Sequence, residues 1–119
     1  MSRYDQRMGI TAEGRNGQVS FDGKTVTITR EGAAARATHG RGEKSIPLRQ
    51  IAAVQFKPNS FATVGFIQFT IPGEMSNNRR KGGRTIDAAK DENAVTFAKK
   101  VEPDFIALKT AVQDALAAL

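Results

Sequence analysis

Val19 and Phe21 alternate with Gln18 and Ser20, and beyond Asp22-Gly23 Val26 and Ile28 alternate with Thr25, Thr27 and Thr29. Side chains on a strand point to opposite faces in turn, so each run predicts a strand with one apolar side. The Asp-Gly pair between them predicts a hairpin closed by a type I′ turn, which needs positive φ at both central positions. Ile46 and Leu48 flank Pro47, and a residue without an N–H belongs at a strand end or on an edge. Ala52, Val54 and Phe56 alternate again. Val64 to Ile71 is the most apolar segment, with Ile67, Phe69 and Ile71 on one face and Phe66, Gln68 and Thr70 on the other, which predicts a central or curved strand. Thr85–Asp87 has room for one short strand, and Val95 and Phe97 end the alternations.

The period then changes. Pro103 suits the first turn of a helix, where its missing N–H is no loss, and Asp104 beside it favours the positive end of the helix dipole. Phe105, Leu108, Val112, Leu116 and Leu119 follow at spacings of three and four, a single apolar stripe. Residues 1–14 carry scattered charge without a period and are expected to form a mobile arm outside the core. Six or seven short strands and one terminal helix therefore predict a mainly β (α+β) domain over residues 15–119. The expected architecture is a small bent antiparallel β-barrel capped by helix 103–118.

Composition narrows the chemistry. The 119 residues suit one domain, and the chain has no cysteine, which removes disulfides, thiolate metal sites and thiol nucleophiles. Arg3, Asp5 and Arg7 near the start leave no apolar leader region, and no stretch approaches eighteen apolar residues, so a cytoplasmic protein without a transmembrane segment is expected. Gly40-Arg41-Gly42-Glu43-Lys44-Ser45 resembles the end of a phosphate-binding loop. It carries Glu43 where the loop needs glycine, and Ile46-Pro47 forbids the helix that would hold the anion. His39 is the sole histidine, in a glycine-flanked stretch, and adjacent Asp91 and Glu92 beside Asn93 read as turn residues. No catalytic residue, cofactor or metal ligand is predicted.

The net charge of +6 leaves anionic partners open. Arg79, Arg80, Lys81 and Arg84 form a basic loop interrupted by Gly82-Gly83. Four phosphate contacts would give a salt slope of about −3.6, a weak and unspecific attraction to nucleic acid or acidic lipid. Arg30, Arg36, Arg41, Lys44 and Arg49 supply a second stretch, diluted by Glu31 and Glu43. Phe61, in a polar loop, and Phe66, on the minor face of its strand, are the aromatic residues that a one-sided core explains least. Both are candidate interaction residues, unless the loop folds back over Phe61 and Phe66 packs under the helix.

Five strings in order, NGQVSFDG (16–23), GRGEKSIPL (40–48), IAAVQFKP (51–58), GFIQFT (65–70) and DENAVTF (91–97), precede the amphipathic helix. Over residues 14–117 the chain resembles a domain of unknown function common in actinobacteria and their phages. The resemblance implies a bacterial pleckstrin-homology-like fold, a bent seven-stranded barrel with a C-terminal helix, and it carries no activity or site residue. The expected function is a non-enzymatic binding or adaptor module that meets a protein partner or a second copy of itself. The alternative is weak anionic-surface binding through residues 79–84.

Overall fold

The alternating segments that the structure describes are strands and the 3.6-residue segment is a helix, while the short strand expected at 85–87 lies outside the described residues. A computed structural model describes residues 9–30, 42–73 and 91–119. They run β1 (Ile10–Glu13), β2 (Gln18–Phe21), β3 (Thr25–Arg30), β4 (Gly42–Pro47), β5 (Ala53–Lys57), β6 (Gly65–Thr70), β7 (Ala94–Phe97) and α1 (Glu102–Ala117). Short 3-10 turns at Leu48–Gln50 and Lys99–Val101 lead into β5 and α1.

The strands form two antiparallel sheets, ordered β1-β2-β3-β4 and β5-β6-β7, and among the described residues no strand pairing joins them. Among the described residues the expected bent barrel is therefore not closed: two sheets face each other across a core. Pro47 is one physical reason. It ends β4, and the 3-10 turn after it carries the chain from one sheet to the other instead of extending the ladder.

Residues 10–13, expected in the arm, are a strand instead. β1 pairs with β2 in the register Ile10↔Phe21 and Ala12↔Val19, and Ala12 is 1% exposed. Its inward residue is an alanine, too small for the alternation to stand out. The predicted hairpin is present, with Phe21↔Val26 as its last strand pair, but its turn is not type I′: Gly23 has φ 100° and no non-glycine residue described has positive φ. The Asp22 carboxylate closes it by accepting from Lys24 N (2.9 Å) and Thr25 N (2.8 Å), bonds that hold its pKa below the usual aspartate range.

Val19, Phe21, Val26, Ile28 and Ile46 from the larger sheet meet Ile67, Phe69, Val95 and Phe97 from the smaller, and Phe105, Leu108 and Val112 of α1 complete the core. Full burial of each such side chain stabilises by roughly 1.5–3 kcal/mol. β6 is the central strand of its sheet, as its composition predicts. The helix departs from expectation only at its end: Leu116 is half-buried, and Leu119, beyond the last helical residue, is 64% exposed. α1 packs against β1 and β2 of one sheet and β5 and β6 of the other, so it fills one seam between them.

The other seam is polar. Arg30, at the end of β3, is 5% exposed and reaches across the gap. Its Nη1 donates to Asn16 O (2.8 Å), and Nη2 donates to Asp91 O (3.2 Å), Glu92 O (3.0 Å) and Ala94 O (2.8 Å). Asn16 adds its own stitch, Oδ1 accepting from Thr96 N (2.9 Å) and Thr96 Oγ1 (3.3 Å), while Arg15 N donates to Thr96 O (2.7 Å). Burial pushes the guanidinium pKa down to about 10, against the opposing pull of the Asp91 and Glu92 charges, so it is cationic at neutral pH.

Candidate functional site

The segment from Pro58 to Val64 joins β5 to β6 and contains the most exposed aromatic residue of the described chain, Phe61 (106%). Its loop does not fold back over it. Ser60 N donates to Thr63 O (3.0 Å), and Ser60 Oγ accepts from Ala62 N (3.3 Å) and Thr63 N (3.1 Å), which closes a tight turn with Phe61 at its crest. Lys57 Nζ donates to Thr63 Oγ1 across the base of that turn.

Asn59 fixes the loop to the rest of the molecule. Its Oδ1 accepts from Gly65 N (2.9 Å), and its backbone N and Nδ2 both donate to Glu102 Oε1, each at 2.9 Å. Those two bonds hold the Glu102 carboxyl below its usual range, the side-chain bond contributing most. Position 65 requires glycine for space: a Cβ there would lie 2.6 Å from Lys57 O and 2.9 Å from Asn59 N, both backbone atoms. Beneath the loop, Phe97 stacks between Phe56 (5.5 Å) and Phe105 (4.4 Å), and Lys109 Nζ sits 5.1 Å from the Phe56 ring centre. The tip therefore stands on a packed aromatic base.

Phe66 is 4% exposed and clusters with Ala94 on the face of β6 opposite the main core, not under α1. Its ring is thus covered within the fold, unlike that of Phe61. Arg79, Arg80, Lys81 and Arg84, together with His39, Arg36 and Arg41, lie outside the described residues. Of the second basic stretch, Arg30 is turned inward on carbonyls, Lys44 pairs with Glu92 (3.3 Å), and Arg49 is exposed. Asp91 and Glu92 do form a turn, in which Asn93 N donates to Asp91 Oδ1 (2.7 Å), and Gln68 Nε2 donates to Asp91 Oδ2 (2.7 Å).

Open clefts lined by described residues lie away from the 58–64 loop and take none of their lining from it. One of about 250 Å³ is lined by Glu13, Gly14, Arg15, Gly17, Gln18 and Thr29, and one of about 530 Å³ by Arg49, Gln50, Ile51, Ala52, Ile71 and Pro72. Among the described residues no three histidine or carboxylate side chains converge in a way that could hold a metal, and no helix is long and apolar enough to cross a membrane. The clamp formed by Asn59 and Glu102 escapes sequence reading because the two residues are 43 positions apart and each is a common loop or helix-start residue.

No curated protein and no solved structure matches the chain. The model of one family does, the Domain of unknown function DUF4429, over residues 19–113. That span runs from the first hairpin through the buried stripe of α1 and takes in the Phe61 loop, so the chain belongs to the DUF4429 family.

Proposed function

We propose that this domain is a non-enzymatic binding module that docks a protein partner by seating Phe61 in an apolar pocket of that partner. One observation carries the reading: Phe61 is fully exposed on a loop whose turn and base are both hydrogen-bonded. An aromatic ring held out on a fixed support suits recognition, because few loop conformations are lost on binding and burying the ring returns about 1.5–3 kcal/mol. A ring with no contact role gains nothing from such a mount. Two facing antiparallel sheets with a terminal helix in one seam also support a pleckstrin-homology-like fold, and the five sequence strings support an origin in actinobacteria or their phages, with the module in the cytoplasm.

A photo-reactive phenylalanine analogue at position 61 tests the reading in cells of the source. The expected result is a cross-link to one discrete protein, or a band of doubled mass if the partner is a second copy, with no such product from the analogue at Gln113 on the exposed side of α1. Equal labelling from both positions, or cross-links to lipid alone, would refute it.

A further inference from the structure

The loop that carries Phe61 is tied to α1 at a single oxygen. Glu102 Oε1 accepts from both the backbone N and Nδ2 of Asn59, and the same Asn59 side chain accepts from Gly65 N, where β6 begins. Asn59 is thus one link between helix and strand, and Glu102 is the only part of it that the helix supplies. Three residues further on, Phe105 is fully buried and stacks on Phe97, the register partner of Gly65. The anchor point is therefore set by core packing and not by the loop. Without the carboxylate, Pro58 to Val64 keeps the Ser60–Thr63 turn but loses its two bonds to the helix.

We propose that Glu102 is a positioning residue for Phe61: through Asn59 its carboxylate fixes the pose of the β5–β6 loop, so docking at Phe61 is governed from the first turn of α1. This rests on Phe61 being the contact. A site whose competent pose falls to a tenth of the population binds about tenfold more weakly, which is the size of effect expected on removing Glu102. Glu102→Gln keeps the oxygen that accepts both bonds and should behave as the natural chain. Glu102→Ala should not.

The chain has no tryptophan, so Phe61→Trp places a single reporter at the tip. In that background Glu102→Ala should lower the tryptophan anisotropy and Glu102→Gln should leave it unchanged. Exchange of the Gly65 amide, which touches Asn59 but not Glu102, should speed up in Glu102→Ala while the Ile67 and Val95 amides of the sheet stay protected. With the photo-reactive analogue at 61, Glu102→Ala should cut the yield of the discrete cross-link about tenfold, and Glu102→Gln should restore it. An unchanged anisotropy and an unchanged Gly65 exchange rate in Glu102→Ala would overturn the positioning role. A loosened tip with full cross-linking would overturn it too, yet leave Phe61 as the contact. Failure of the natural chain to cross-link at 61 in preference to 113 would overturn the docking reading itself.

Discussion

Arg30→Ala tests whether the polar seam stabilises the fold or merely tolerates a buried charge. The guanidinium donates to four carbonyls, and three of these bonds, to Asn16, Asp91 and Ala94, are buried, while the one to Glu92 is partly open to water. Asp91 O keeps Ala94 N as a second donor (3.1 Å), so Arg30→Ala withdraws a donor from two buried carbonyls, Asn16 O and Ala94 O; at about 1–3 kcal/mol for each the loss is about 3 kcal/mol, before any relief from no longer burying a cation. Taking about 4 °C per kcal/mol for a domain of this size, the melting temperature should fall by about 12 °C. Arg30→Met keeps the apolar stem but no donor, and should lose about 2 kcal/mol; Arg30→Lys, a point charge with three donors, should fall between Met and the natural residue. Urea unfolding followed by circular dichroism measures all three, with an unchanged m-value as the sign that the denatured state is the same. If Arg30→Ala stays within about 0.5 kcal/mol of the natural chain, or Arg30→Met is more stable than it, desolvation cancels the hydrogen bonds and the seam is not held by Arg30.

Gly65→Ala should cost about 2 kcal/mol, because the new Cβ would press on Lys57 O and Asn59 N, backbone atoms at 2.6 and 2.9 Å, and it should also shift the Asn59 amide resonance; a neutral thermal melt would refute the packing argument. Asn16→Ala removes the acceptor for Thr96 N and Oγ1 and should destabilise by about 1–2 kcal/mol, whereas Asn16→Asp, which keeps an acceptor, should lose less in the same urea series. The Asp22 and Glu102 carboxyls are both held below their unfolded values by N–H donors, so their contribution is present at neutral pH and is lost as pH falls from about 4 downward. Asp22→Asn with Glu102→Gln should flatten stability against pH between 5 and 3, and an identical slope in the double variant would contradict the assignment.

The readable part of the fold is the part whose signal is periodic. The hairpin of β2 and β3, the two-sided burial of β6 and the stripe of α1 each repeat one choice of side chain several times, and packing rewards the same choice at every repeat. β1 lacks that redundancy: Ile10 is half-buried and Ala12 alone is fully covered. The closure of the two sheets was illegible for another reason. A barrel needs strand pairing at both seams, and here one seam is bridged by an arginine that reads, in sequence, as one more member of a basic stretch. The sign of the charge says nothing about whether the side chain turns in, and only the ends of β3 and β7 coming together make the inward position worth taking. At the site, Phe61 stood out because no period claimed it. Phe66 stood out on the same ground, yet β6 is covered on both faces and takes its ring inside.

The two seams differ in chemistry, and the difference bears on the loop. Arg30 closes its seam with directed bonds to carbonyls of Asn16, Asp91, Glu92 and Ala94, a set that touches no residue of Pro58–Val64. The helix closes the other seam with apolar area, and the same helix starts with the carboxylate that holds Asn59. Stability and tip pose are therefore coupled through α1 and separable at Arg30. Loosening the Arg30 seam should lower the unfolding free energy without moving the tip, because the β5-β6-β7 sheet and the Phe97–Phe105 stack remain to place Glu102. Loosening the helix, for example by Phe105→Ala, which should cost about 3–5 kcal/mol, should do both at once, because the ring that seats the helix is one turn from the residue that seats the loop.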